Sequence, residues 1–193
     1  LPFASKQAIG VRFSISQRAP SVFYKGLFPN FIGKWSLLLN ADYDAIRWYN
    51  FYGIGNETTS TLDDIPFNRS QTQEIAGSIA AERKFGKNTV LISGFYQNIK
   101  VRNDTERFIS KIIAPFQPEI FEANNYAGGM LNYKFSRFND SIVPTSGFSL
   151  IASAAHFQNL TQKTSFERYS GIAQLYIPLI SKFSLGIRAT GGT

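Results

Sequence analysis

Apolar and polar side chains alternate along much of this 193-residue chain, most cleanly near its end. In Lys182–Thr190, Phe183, Leu185, Ile187 and Ala189 take one face, while Lys182, Ser184, Gly186, Arg188 and Thr190 take the other. A period of two with charge on the second face predicts a strand lying between an apolar and a wet phase. The same pattern runs through Ala8–Ser16, where Ile9, Val11, Phe13 and Ile15 oppose Ala8, Gly10, Arg12, Ser14 and Ser16. In Lys34–Ala45 it sets Trp35, Leu37, Leu39, Ala41 and Tyr43 against Ser36, Leu38, Asn40, Asp42 and Asp44. In Tyr126–Arg137, Ala127, Gly129, Leu131, Tyr133 and Phe135 oppose Tyr126, Gly128, Met130, Asn132, Lys134 and Ser136. Mixed alternation marks Ser21–Phe28, Gln71–Phe85, Thr89–Val101, Gly147–Gln158 and Phe166–Leu179. The pattern predicts an all-β chain of roughly nine antiparallel strands, most reaching the 9–11 residues that a tilted strand needs to cross a bilayer.

The connections differ in character. Phe-Gly-Lys-Asn at 85–88 and Leu-Ile-Ser-Lys at 179–182 read as tight turns. Tyr52–Ser70 and Arg102–Ala123 read as long polar loops, and Asn159–Thr164 as a short one. Short turns at one end and longer loops at the other are the habit of transmembrane barrels. Single-chain bacterial barrels close with an even strand count, because an open edge in lipid leaves backbone groups unpaired. An odd count therefore predicts that residues 1–193 form one partial barrel domain.

Composition sharpens this reading. Phe (18) and Tyr (9) are abundant, which suits pleated sheet better than helix. No run approaches the 18 or so apolar residues of a membrane-spanning helix, so a membrane-resident chain must cross with strands. Cysteine is absent, which removes disulfides and thiolate metal sites. The formal charge of +7 raises nucleic acid as a partner, but Lys and Arg scatter over strand ends and turns rather than clustering. No secretory leader precedes Leu1, so a signal peptide is absent or already removed.

The stretch Asn132-Tyr-Lys-Phe-Ser-Arg-Phe-Asn-Asp-Ser-Ile-Val-Pro-Thr-Ser-Gly147 resembles a recurrent element of the BamA/TamA superfamily, the bacterial surface antigen family. In that element a Tyr-bearing strand, a polar turn and Pro-Thr-x-Gly precede a strand returning across the membrane. Pro144, Thr145 and Gly147 form the structural turn: proline holds φ at the strand entrance and glycine relieves crowding. The order of later features also matches, through Asn159-Leu160, Tyr176-Ile-Pro-Leu179 and Gly191-Gly192. Asn50-Phe-Tyr-Gly-Ile-Gly-Asn-Glu-Thr58 is similar to a loop of Bacteroidetes-type members. The resemblance implies part of a sixteen-stranded barrel in the bacterial outer membrane. It also implies a non-enzymatic role, assisting insertion or translocation of polypeptides, with outer-membrane lipid as partner and with unfolded outer-membrane protein clients and periplasmic or lipoprotein subunits. The family's Val-Arg-Gly-Phe/Tyr lumen loop, its first and last strands and its POTRA repeats are not in this sequence. A porin-like or transporter barrel for small solutes is the alternative, and a soluble all-β binding module the third.

On the barrel reading, Ile9, Val11, Phe13, Leu131, Phe135, Phe183, Leu185 and Ile187 face lipid, whereas Arg12, Asn132, Lys134, Ser184 and Arg188 line the lumen. Trp35, Trp48, Tyr49, Phe51 and Tyr52 near strand ends are candidate interfacial aromatics. His156, the single histidine, reads as a structural or headgroup-level residue rather than an acid–base catalyst. Asp42 and Asp44 read as lumen polarity and Asp63-Asp64 as loop solvation, since no calcium-loop spacing accompanies them. No nucleophile elbow, Walker loop or dinucleotide fingerprint appears, so no catalytic residue, cofactor or metal is expected.

Overall fold

The computed structural model describes residues 4–53, 65–140, 142–180 and 183–193. They form a single nine-stranded antiparallel sheet in which every strand pairs with its neighbours in sequence. The strands are β1 (Lys6–Ser14), β2 (Ala19–Ile32), β3 (Trp35–Asn50), β4 (Arg69–Phe85), β5 (Asn88–Val101), β6 (Ala123–Phe138), β7 (Gly147–Asn159), β8 (Ser165–Ile180) and β9 (Phe183–Gly192). Count and order agree with the alternation. Most strands run longer than the pattern alone indicates, because pairing continues past the last alternating residue into the turn. The exception is β1, which lies two residues earlier than expected and leaves Ile15 and Ser16 in the turn to β2. Among the described residues β1 and β9 do not pair with each other, so the ladder is linear from edge to edge.

Odd-to-even connections fall at one end of the sheet and even-to-odd connections at the other. The even-to-odd end holds the tight hairpins. Phe85 pairs directly with Asn88 and Ile32 with Trp35. Gly33 and Gly86, with φ of 60° and 59°, supply the positive φ that such a two-residue turn demands at its first central position. We call this the hairpin end, and the other the loop end.

The expected division into short turns and long loops holds with three departures. The β1–β2 and β7–β8 connections at the loop end are short, and the β6–β7 connection at the hairpin end is long. That longer connection is nonetheless compact, because its side chains substitute for backbone pairing. Asn139 Oδ1 accepts from the amides of Thr145 (3.0 Å) and Ser146 (2.9 Å), and Asn139 Nδ2 donates to Thr145 Oγ1 at 2.7 Å. Asp140 Oδ1 accepts from Ile142 (2.7 Å) and Val143 (2.9 Å). Gly147 then re-enters the sheet with φ 125°, where a Cβ would lie 2.1 Å from the Arg137 carbonyl oxygen. Pro144 sits between these two locks.

The loop from 102 to 122 has local structure that hydrophobic alternation could not reveal: a π-helical turn at Ile109–Ile113 and a 3-10 turn at Pro118–Phe121. It is anchored by a small apolar cluster. Phe108 packs against Phe51 and Phe67 at centroid distances of 6.1 and 5.7 Å, the Phe108 amide donates to the Phe67 carbonyl, and Ile109 is buried.

Two tests follow from the β6–β7 turn. Gly147→Ala should destabilise the protein by about 2 kcal/mol or more in denaturant unfolding, since both the positive φ and the carbonyl contact oppose a Cβ. The Val143 and Ile142 amides hold the Asp140 carboxyl below its ordinary range. A depressed folded pKa stabilises the turn above the unfolded value of about 3.9, and this is lost as pH falls through the lower folded value. The amide resonances of Ile142 and Val143 should therefore titrate below about pH 3.9 in the protein and not in Asp140→Asn.

Candidate functional site: the two faces of the sheet

Directly paired residues of an antiparallel ladder point to the same side of the sheet. Following the register from β1 to β9 therefore sorts every strand residue onto one of two faces. Ile9, Val11, Phe13, Leu131, Phe135, Phe183, Leu185 and Ile187 fall together on the first face. They share it with Leu37, Leu39, Ile75, Ile79, Ile92, Leu150, Leu175 and Ile177. Arg12, Asn132, Lys134, Ser184 and Arg188 fall together on the second, with Asn40, Asp42, Glu74, Ser78, Ser93, Gln97, Ser149 and Ser153.

Burial runs opposite to that of a water-soluble fold. Ile79, Ile92 and Leu131 on the apolar face are 56%, 52% and 49% exposed, whereas Glu74 and Ser149 on the polar face are 4% and 2% exposed. No second layer of the described residues covers the apolar face.

That face is a band with defined borders. At the loop end it stops at Gln73, Asn98, Asn125, His156 and Glu167 on β4 to β8. At the hairpin end it stops at Gln7, Arg83, Asn88 and Arg137 on β1, β4, β5 and β6. On β4 and β5 the two borders stand about ten residues apart, about 33 Å along a strand.

Both borders drift the same way across the sheet. Arg83 pairs with Val90, yet the hairpin-end border on β5 is Asn88; Gln73 pairs with Lys100, yet the loop-end border is Asn98. Over the whole sheet the drift averages about one and a half residues per strand. At about 3.3 Å rise and 4.8 Å strand spacing it tilts the strands about 45° to the band normal. The band is then about 23 Å high.

Five tyrosines on this face reach out of the band to its borders. The hydroxyls of Tyr96 and Tyr133 donate to Asn125 Oδ1 (2.8 Å) and Asn88 Oδ1 (2.6 Å). Tyr24 donates to Gln7 Oε1 at 3.3 Å, Tyr43 accepts from Gln73 Nε2 at 3.1 Å, and Tyr169 donates to Glu167 Oε2. Tyr43, Tyr96 and Tyr169 point toward the loop end, Tyr24 and Tyr133 toward the hairpin end. Each phenol keeps its ring in the apolar zone and its hydroxyl on a polar partner.

Aromatic residues near strand ends divide between faces. Trp35 and Trp48 lie on the apolar face at opposite ends, next to Arg83 (5.8 Å) and to Arg69 and Arg107 (6.0 and 5.3 Å). Tyr49 lies on the polar face, under Arg47 at 5.5 Å, because the Asp44–Arg47 bulge shifts the register by one residue and sets Arg47 opposite Thr72 and Tyr49 opposite Ser70. Phe51 joins the loop cluster described above. His156 stands at the loop-end border, its Nδ1 3.8 Å from Glu167 Oε1, with both side chains more than half exposed. The sequence element after Gly53, including Asp63-Asp64, lies outside the described residues.

The polar face holds two local clusters. Asp44 and Glu74 are direct cross-strand partners, an arrangement that repels unless a cation intervenes. Arg47 supplies it, with Nη1 3.0 Å from Glu74 Oε2 and 4.0 Å from Asp44 Oδ2, and the Thr72 hydroxyl donates to Glu74 Oε1 at 2.7 Å. Farther along, Phe95, Phe157 and Phe166 gather on β5, β7 and β8; Phe157 and Phe166 stack at 4.7 Å and 4°, with Arg168 5.3 Å over Phe157. Phe95, Phe157 and Arg168 flank a 290 Å³ cleft lined also by Asn40, Asp42, Ser78 and Gln97. Among the described residues no three His, Cys, Asp or Glu side chains gather as a metal site. Glu74→Ala should cost about 1–3 kcal/mol in denaturant unfolding, as it removes the shorter hydrogen bond of the Thr72 hydroxyl and the nearer carboxylate of Arg47 together.

Comparison with protein-family models, characterised proteins and solved structures returns no match to this chain.

Proposed function

We propose that the sheet is a stretch of transmembrane β-barrel wall in a bacterial outer membrane, with the apolar face against lipid and the polar face toward a watery lumen. The carrying observation is the bordered apolar band on an otherwise uncovered face. Its height of about 23 Å and strand tilt of about 45° are close to the apolar belt of about 25 Å and tilt of 35–45° of such barrels. Tyrosines reaching outward to both borders support the same reading, because amphipathic rings favour the zone between hydrocarbon and headgroups. On this reading Ile9, Val11, Phe13, Leu131, Phe135, Phe183, Leu185 and Ile187 contact acyl chains, and Arg12, Asn132, Lys134, Ser184 and Arg188 contact lumen water.

Within that class we favour a BamA/TamA-like assembly factor of Bacteroidetes type. It would assist client polypeptides without enzymatic chemistry, as part of a sixteen-stranded barrel working with periplasmic or lipoprotein subunits. The turn geometry supports it: the Asn139 and Asp140 locks and the glycine-only backbone at Gly147 give the Asn132–Gly147 element a structural reason to recur. A solute-conducting barrel is the second reading, favoured by the cleft that sets Asp42 and Arg168 among polar side chains and aromatic rings. Large, steady single-channel currents in planar bilayers would support conduction; small or absent currents, with acceleration of client barrel insertion into vesicles, would support assembly.

The face assignment has its own test. Leu185→Arg should impair folding into lipid by about 2–4 kcal/mol near midplane, whereas Ser184→Arg should be mild. Equal losses in a vesicle-refolding titration would reject the lipid–lumen partition.

A further inference from the structure

We infer that the loop end of β3–β5 carries a binding site for the phosphate groups of anionic lipid headgroups, built from Arg69, Lys100 and Arg102, with Trp48 beside Arg69. The inference rests on the membrane reading above and adds a ligand to it.

Lys100 pairs with Gln73 and stands one alternation beyond Asn98, the loop-end border of the apolar face on β5. The Arg102 amide continues the ladder by donating to the Gln71 carbonyl at 2.9 Å, one alternation farther out. Arg69 lies another alternation beyond, on the same face as Gln71 and Gln73. The three cations thus stand about two to four residues beyond the border, about 5–9 Å of height at the tilt derived above. The headgroup region begins there and is about 5–7 Å deep. None of the three has a carboxylate within ion-pair distance among the described residues, although all are exposed.

Leaving three like charges together unpaired is unfavourable in water alone and becomes favourable against an anionic surface. The surroundings hold the site in shape. Trp48 lies on the apolar face one alternation beyond the Gln73 border, with the Arg69 and Arg107 guanidinium groups 6.0 and 5.3 Å from its ring. Arg107 is itself fixed, donating to Asp104 Oδ2 at 2.8 Å and to the Pro66 carbonyl, while Phe108 clamps the loop beneath it. Its charge is answered by Asp104, so it positions the indole and leaves the anion to the other three. A fused apolar and cationic surface at headgroup depth fits a lipid phosphate better than a free one, since the acyl chains of the same molecule lie on the band below.

Trp48 is also a built-in reporter, because Trp35→Phe leaves it as the sole tryptophan. The protein carrying that change is folded into phosphatidylcholine vesicles containing brominated phosphatidylglycerol or, separately, brominated phosphatidylcholine, and quenching of Trp48 gives relative binding. We expect phosphatidylglycerol to be preferred by about fivefold or more at low salt, falling as salt rises. Arg69→Gln/Lys100→Gln/Arg102→Gln should bring the ratio close to one with the circular dichroism of the sheet unchanged. Lys25→Gln/Lys134→Gln/Arg188→Gln removes the same charge from the opposite face and should leave the preference intact. Equal quenching by both lipids in the parent, or equal loss in both triple variants, overturns the headgroup site while leaving the barrel wall standing. Absence of quenching by either lipid overturns the membrane placement itself.

Discussion

The structure depends on one constraint: a backbone ladder that must satisfy its own hydrogen bonds while presenting hydrocarbon on one side only. Nine antiparallel strands meet it by pairing each strand with its sequence neighbours, so each interior strand pairs on both sides. The face of each side chain is then no longer a local choice. Once Ile9 pairs with Tyr24 and Tyr24 with Ala41, the parity passes from strand to strand to Phe183 and Leu185. One slip of register would turn an entire strand's hydrocarbon toward its polar side. The irregularity in β2 preserves parity, whereas those in β3 and β8 shift the pairing by one residue, so that Trp48 and Ile180, rather than their odd-numbered neighbours, continue the apolar face beyond them.

Polarity within the band follows from the same economy. A tyrosine ring can lie in the apolar zone provided that its hydroxyl finds a partner, and each of the five does so at the nearer border. The polar face admits close charges only with compensation. Asp44 opposite Glu74 would repel, and Arg47 with the Thr72 hydroxyl answers the pair. The aromatic group around Phe157 is the exception on this face: apolar area set among polar side chains, with Arg168 lying over one ring.

The two ends of the sheet work differently. At the hairpin end, turns are built from backbone geometry and from short side chains that replace backbone partners, as Asn139 and Asp140 do. At the loop end, order beyond the strands comes from packing: Phe51, Phe67 and Phe108 form a small core that no alternation announces, because its members are far apart in sequence and lie outside the strands. Arg107 and Trp48 are brought together by that packing.

Strand number, approximate limits and the polarity of each strand's faces were legible in the amino-acid order, since a period of two is a local property. So was the need for glycine at 147, where Pro-Thr-x-Gly marks a turn. The tyrosine borders were not legible, because Tyr96 and Asn125 are separate strand residues until the β5–β6 register places hydroxyl and amide within 2.8 Å. Nor was the position of Tyr49, which depends on how the bulge between Asp44 and Arg47 resolves. The tilt of the band and the placement of Arg69, Lys100 and Arg102 on one face at the loop end likewise belong to tertiary structure. Alternation determines which side chains of one strand share a side, whereas height and neighbourhood depend on the stagger between strands, which no single strand encodes.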